Sequence, residues 1–183
     1  KFADPGVNLL AKRVIVVGAG IIGSSVAWHL AKAGAEVTVL DAAESGGVAT
    51  RNSWAWVNAS WGNPEPYFRL RLRSMQEWQR LDREVPGLSV DWCGGLLWDL
   101  PPDKLERYAV EHGSWGYGVR RAGRAEVLKL EPNIKKPPDF ALHVAEEGKV
   151  EPLEAALALI RGAEGLGARV LPDCHVKWLE EED

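Results

Sequence analysis

Residues 13–41 read RVIVVGAGIIGSSVAWHLAKAGAEVTVLD. Val14–Val17 is an apolar, β-branched run bounded by glycine, the pattern of a buried strand. Gly18, Gly20 and Gly23 follow at the spacing of a tight strand-to-helix turn. A helical stretch runs to Ala33, and Val37–Leu40 reads as a second strand ending in Asp41. Strand, glycine turn, helix, strand and terminal acid together make the βαβ unit that holds the ADP half of a dinucleotide.

Each part has a physical task. Gly18 permits the sharp turn, and Gly20 offers no Cβ to block a pyrophosphate. Gly23 lets the helix lie close to the sheet. The helix N-terminus presents amides without intrahelical partners and a partial positive charge to the phosphates. Asp41 lies 18 residues beyond Gly23, where a carboxylate can accept hydrogen bonds from ribose hydroxyls and repel a 2′-phosphate, which argues against NADP. The motif alone leaves FAD, NAD and related adenine nucleotides open.

The rest of the composition sets bounds. A chain of 183 residues can fill one core or one and a half small domains. A net charge of −4 with no basic run gives no reason to expect nucleic acid or an anionic membrane surface. No stretch approaches the ~20 apolar residues of a spanning helix, and the start lacks a secretory pattern. Cys93 and Cys174 show no metal-ligand spacing, so no metal is expected, and reduced thiols in a cytoplasmic protein are the plain reading. Nine tryptophans in a chain of this size call for a large aromatic core or a flat ligand.

Residues 1–12 read as a leader into the first strand. After Asp41, AAESGGVATRNSW reads as a loop with a glycine hinge at Gly46–Gly47. Pro64 or Pro66 opens a helix to about Val85, with Phe68, Leu72, Met75, Trp78, Leu81 and Val85 on one stripe, and Pro86–Gly87 stops it. From Leu88 to Glu147 short apolar runs (Leu96–Leu100, Phe140–Ala145) alternate with turns and a helix over about Pro102–His112. This is the pattern of an inserted antiparallel sheet with helices. GKVEP then leads into a helix from Pro152 to about Glu164, with Leu153, Ala156, Leu157 and Ile160 on one face. Gly165 or Gly167 ends it. Ala168–Leu171 reads as a third parallel strand and His175–Leu179 as a further one.

The expected fold is therefore α/β: a Rossmann-like dinucleotide-binding βαβ domain with part of an inserted antiparallel-sheet substrate domain. Residues 1–87 form the βαβ unit with the loop and helix that follow it, 88–147 the inserted part, and 148–183 the return to the nucleotide domain. A sheet of three parallel strands leaves edges uncovered, so the chain reads as the N-terminal part of a longer polypeptide, or as a domain cut from one.

Three separated motifs resemble those of the FAD-dependent D-amino-acid oxidase superfamily, which includes glycine oxidase, sarcosine oxidase and D-amino-acid dehydrogenase. They are the VIVVGAGIIGSSVAWHLAKAGAEVTVLD unit, the GGVATRNSW loop, and GKVEP with the following helix and GARVL…HVKWLE. The second motif favours FAD over NAD. The resemblance implies that Gly18, Gly20 and Gly23 line the pyrophosphate, with Ile21 and Ile22 at the helix start. It implies that Asp41 binds the adenosine ribose, with Ala42 beside it. It also implies that Thr50, Arg51 and Asn52 run along the diphosphate and ribityl chain, and that Val176 meets adenine through its backbone. A hydroxyl, amides and a guanidinium suit a diphosphate. One departure concerns substrate identity: where the family commonly has glycine shortly after Arg-Asn, this chain has Ser53 and then Trp54.

Trp54, Trp56 and Trp61 admit two readings, walls of a substrate pocket or rings shared between core and domain seam. His29, His112, His143 and His175 have no spacing for a triad or metal, and Glu180–Asp183 reads as a solvated run. The implied activity is oxidation of the C–N bond of a small amine or amino acid by hydride transfer to flavin. No catalytic residue is assigned, because in this family many substrate contacts lie in the second half of the protein. The piece alone is expected to be inactive and to hold FAD weakly. The alternatives are an NAD-dependent dehydrogenase domain, or a non-catalytic dinucleotide-binding fragment or subunit that assembles with a partner chain. The long inserted region argues against a simple NAD domain.

Overall fold

The computed structural model describes residues 12–60 and 62–181. Trp61 and residues 1–11 of the expected leader therefore lie outside the described residues. The described chain forms two compact units. The first comprises residues up to Ala55, Leu81–Ser89 and the residues from Glu151 onward; the second comprises Trp56–Arg80 and Val90–Val150.

The first unit is built on a parallel sheet. Strand β1 (Arg13–Val17) pairs in parallel with β2 (Glu36–Leu40), and β2 pairs in parallel with β9 (Arg169–Leu171). The order β1-β2-β9 puts β2 in the middle. Side chains alternate across a strand, so Val16, Val37 and Val39 share the buried face while Ile15 and Val17 point the other way. Helix α1 (Ile21–Lys32) is the crossover between β1 and β2, and α6 (Pro152–Gly165) precedes β9. The two helices pack against each other closely because their contact residues are small. A Cβ built on Gly162 would lie 2.9 Å from Trp28 Cδ1. Burial on α6 is broader than the expected single face, adding Ala155, Ala158, Leu159 and Ala163 to Ala156 and Ile160. Opposite the helices, Ile15 and Val17 are 65% and 60% exposed.

In the second unit, β3 (Trp56–Val57), β8 (Gly148–Val150) and β4 (Val90–Asp91) form one antiparallel sheet in that order. A second antiparallel sheet runs β5 (Gly95–Leu97), β7 (Phe140–Val144), β6 (Val119–Gly123). The central strand β7 is buried at every residue after Phe140. Helix α4 (Pro102–Ser114) seats Leu105 and Tyr108 against Leu97 and Leu142. Helix α5 (Arg124–Leu130) seats Val127 against Ala122 and Ala141. The residues of helix α3 (Glu65–Glu84) up to Arg80 belong to this unit, and its last turn to the first. The expected stripe is present on α3, with Phe68, Met75 and Leu81 buried; Val85, just past its end, is buried too.

Four local expectations are corrected. The segment after Asp41 is not all loop: Val48–Arg51 forms the one-turn helix α2. Of the Leu96–Leu100 run only Leu96 and Leu97 are strand, within β5, and β6 with α5 fills a stretch with no expected element. Gly148–Val150 is strand β8, which pairs its backbone before the helix begins. His175–Leu179 is irregular chain with Trp178 and Leu179 largely exposed, because no neighbouring strand takes up its hydrogen bonds among the described residues.

His112 sits fully buried on α4 in an aromatic box, with ring centroids 3.9 Å from Tyr108, 4.6 Å from Trp115 and 5.4 Å from Phe68. Burial holds its pKa below 6.5, against smaller opposing contributions from the Tyr108 backbone and the Glu111 carboxylate. The unfolded chain therefore takes up the proton first as pH falls. The stability contributed by neutral His112 is complete above 6.5 and is lost on acidification below it. Urea midpoints compared between the parent chain and His112→Phe should diverge as pH is lowered from 7.5 to 5, the parent falling faster. Parallel curves would show that this ring does not carry the acid sensitivity.

Candidate functional site

The site grows out of the turn between β1 and α1. Gly18 has φ +99°, a conformation that costs side-chain-bearing residues, and its N–H donates to Leu40 O at 2.7 Å. Gly23 is set by closeness: a Cβ there would lie 1.8 Å from Gly18 O. Gly20 caps α1 without contributing a side-chain oxygen of its own. Ala19 is wholly buried, and its carbonyl accepts from Ser24 Oγ at 3.0 Å and from Gly46 N–H at 2.9 Å.

The segment around α2 closes on this turn. Thr50 is buried, and its Oγ1 accepts the Ile21 N–H at 3.0 Å. The Thr50 hydroxyl proton remains available to a ligand oxygen. A Cβ on Gly20 would stand 3.2 Å from Thr50 Oγ1, and one on Gly47 would stand 3.1 Å from the Gly20 Cα. Gly47 also has φ +60°. Gly46, at φ +110°, is wedged on the other side, where a Cβ would meet Leu153 Cδ1 at 2.3 Å. The glycine pair is thus a packed seat for α2 between the turn and α6, and the expected hinge is replaced by close approach.

Asp41 ends β2 half-buried. Its Oδ2 accepts the Ala19 N–H at 2.6 Å and its Oδ1 accepts the Ala43 N–H at 2.9 Å. A carboxylate has about four acceptor positions, so two such bonds leave room for ribose hydroxyls. The acid therefore braces the glycine turn as well as facing outward from it. Its carbonyl accepts from Cys174 N–H at 2.8 Å, which brings the chain after β9 beside it. Val176 is half-buried two residues further on.

The sequence-derived candidates thus divide. Gly18, Gly20, Ile21, Gly23, Asp41 and Thr50 are drawn together by the bonds and contacts above. Ile22 is 79% exposed at the helix start, and Ala42 is exposed beside Asp41. Arg51 is exposed, with a guanidinium nitrogen 3.8 Å from a Cβ built on Gly46. Asn52 turns back, its Nδ2 donating to Val48 O at 2.8 Å to finish α2. Ser24, Gly46 and Gly47 were missed as parts of the cradle; two adjacent small residues just before Val48–Arg51 were the available signal. Of the tryptophans, Trp54 is 83% exposed, while Trp56 packs on the Leu97–Leu142 cluster and donates from Nε1 to Glu147 Oε2 at 3.0 Å. No group of three metal-ligating side chains occurs among the described residues, and no described helix is long and apolar enough to cross a membrane.

Comparison with known proteins gives this geometry a family context. A family model described as FAD dependent oxidoreductase matches residues 13–183. The chain is 33% identical to a glycine oxidase of Bacillus licheniformis over 92% of its own length and 47% of that protein. It is 55% identical to a D-amino acid dehydrogenase of Paramagnetospirillum magneticum over 72% of its length and 27% of that protein. Among solved structures, L-proline dehydrogenase from P. horikoshii superposes with a TM-score of 0.81 at 25% identity, covering 97% of this chain and 48% of that one. The chain thus spans about half the length of the glycine oxidase and the L-proline dehydrogenase.

Two substitutions test the cradle as a structure. Gly23→Ala forces Cβ into a backbone carbonyl and should cost about 3 kcal/mol or more, beyond ordinary overpacking. Thr50→Val keeps the shape but leaves the Ile21 N–H without its acceptor, and should cost about 1–3 kcal/mol. Denaturation midpoints of the two variants beside the parent check both; an undisturbed Gly23→Ala would mean that α1 can back away from the turn.

Proposed function

The chain belongs to the FAD-dependent oxidoreductase family, and from that premise we propose that it is the FAD-holding part of an enzyme that oxidises the C–N bond of an amine or amino acid. The observation that carries the reading is the convergence of Gly20, Gly47 and Thr50 at the open N-terminus of α1. A Cβ on Gly20 would crowd the Thr50 hydroxyl and one on Gly47 would crowd Gly20, so only bare backbone lets the three close around the place proposed for the diphosphate.

Bound FAD supplies the acceptor for a hydride leaving the carbon that bears the nitrogen. The residues of the chain do the holding. The first-turn α1 amides after Ile21, whose own N–H is held by Thr50, would donate to phosphate oxygens together with the Thr50 hydroxyl, with Gly18 setting the turn. Asp41 accepts from the ribose hydroxyls through the positions its two backbone bonds leave free. Arg51, on the exposed side of α2, offers a guanidinium to the diphosphate, and Asn52 holds the end of α2 in shape. The Cys174–Asp41 bond ties the chain just before Val176 to Asp41, which supports the Val176 backbone as the adenine contact in this reading. The named activities of the relatives, glycine oxidase and D-amino acid dehydrogenase, support a small amino-acid or amine substrate.

Addition of FAD, followed by flavin fluorescence polarisation, tests the reading. The parent chain should bind saturably. Gly20→Val should lose at least about tenfold in affinity with its circular dichroism unchanged. Asp41→Ala should lose about 1.5–3 kcal/mol of binding free energy, as for hydrogen bonds to a charged group. A chain that ignores FAD yet is thermally protected by NAD would overturn the assignment of the site.

A further inference from the structure

Glu147 has no exposed surface and takes no part in the glycine-turn site. It follows the turn between β7 and β8 in the second unit, with its carboxyl turned into the protein. Trp56 Nε1 donates to Oε2 at 3.0 Å, and the hydroxyls of Ser60 and Tyr117 both bond Oε1. Gly95 on β5 makes the room, since a Cβ there would fall 2.1 Å from Oε2. The Glu147 carbonyl accepts from Gly94 N–H at 2.8 Å, which fixes the residue from its backbone side too.

No guanidinium or ammonium bonds this carboxyl among the described residues. Arg71 on α3 is the cation that acts on it, but its two terminal nitrogens are taken by Ser60 O, at 2.6 Å, and Asn58 Oδ1. The other charged and titratable groups on the surrounding elements are committed elsewhere or lie apart. Lys149 on β8 pairs with Asp91 on β4 at 3.6 Å, and Glu146 accepts from Gly118 N–H at 2.9 Å. His143 on β7 faces Gly94, where a Cβ would meet its Nε2 at 2.8 Å. A carboxyl buried without a paired cation reaches lowest free energy by neutralising itself.

We propose that Glu147 is held as the neutral carboxylic acid and that, with Tyr117, Ser60 and Trp56, it forms a proton-holding latch between the β7–β8 turn and segment 56–60. Every donor in the neutral cluster has an acceptor. The Oε1 proton goes to the Tyr117 oxygen, and the Tyr117 proton is directed at Met75 Sδ, 3.9 Å away. Trp56, a donor only, requires Oε2 to be the unprotonated oxygen. Ser60 donates to the remaining lone pair on Oε1, and the Tyr117 oxygen also accepts Ala59 N–H at 3.1 Å. When the latch opens, the carboxyl meets water and gives its proton to solvent, leaving the carboxylate and segment 56–60 released.

Burial raises the pKa of Glu147 above 4.5 against the opposing pull of its donors, and raises that of Tyr117 as well. The folded state therefore binds this proton more tightly than the unfolded chain. The latch is at full strength below about 4.5 and weakens as pH rises through the folded value. A salt-bridged carboxylate would behave oppositely, weakening in acid.

Carbon-13 spectra of the glutamate carboxyl groups of the chain, followed from pH 4 to 9, read the protonation directly. One carbon should keep the position of a protonated acid at pH 7, and that signal should be missing in Glu147→Gln, whose amide mimics the neutral acid. Hydrogen exchange of the 57–60 amides, taken relative to Glu147→Gln at each pH, should rise at least tenfold between pH 6 and 9. The proposal is overturned if every glutamate carbon titrates in the ordinary carboxylate range, or if the exchange ratio is flat or falls with pH. Should Glu147→Gln fail to fold, the spectrum of the parent decides alone, with Tyr117→Phe identifying the signal by moving its titration.

Discussion

The first unit depends on a single close approach, that of Gly23 to the carbonyl of Gly18. The missing Cβ, which would stand 1.8 Å from that oxygen, lets α1 begin directly over the end of β1. With the helix so placed, the Ile21 amide reaches Thr50 and the Ala19 carbonyl reaches both Ser24 and Gly46. Those bonds in turn bring α2 onto Gly20 and against Leu153 of α6. The surface proposed for the diphosphate is thus a by-product of how tightly backbone meets backbone. No charged side chain has to create it, since the helix terminus supplies the field.

How much of this was legible in the sequence follows from the range of the interactions involved. The βαβ unit could be read because its determinants lie within 29 residues and each has its own signature: β-branched strands, spaced glycines, a terminal acid. Gly46 and Gly47 were visible but ambiguous. A glycine pair marks either freedom or close packing, and only the positions of Gly20 and Leu153 decide for packing. His175–Leu179 has the alternation of a strand, but a strand needs a neighbour, and periodicity does not supply one. The role of Asp41 was half read: outward acceptance was expected, whereas its bond to Ala19 N–H spans a separation that local pattern does not reveal. Glu147 was simply one of several acids in a turn-like stretch, and nothing near it in sequence betrays that Trp56 and Tyr117 close over it.

The two units solve the problem of core formation differently. The first relies on small residues, with Ala27, Ala31, Ala155, Ala156 and Ala163 letting α1 and α6 lie near each other and the sheet. Among the described residues its interior is apolar apart from Ser24 and Thr50, which serve the turn. The second buries His112, His143 and Glu147, and must satisfy or neutralise each. Buried polar groups make packing less forgiving, because a displaced neighbour strands a donor or acceptor as well as opening a void. Proton activity therefore enters the energetics of the second unit.

The bare side of the parallel sheet has a practical consequence. Such sheets are ordinarily covered on both faces, yet among the described residues Ile15 and Val17 stand on an edge strand with more than half of each side chain exposed. An edge strand beside an apolar strip is a template for a second strand. In solution the chain will be limited by concentration, and it will leave solution early in fractionation with sulfate, which strengthens apolar contact. Mild detergent, or one lysine placed at Ile15, would hold it dispersed while leaving the opposite face, with α1 and α6, untouched.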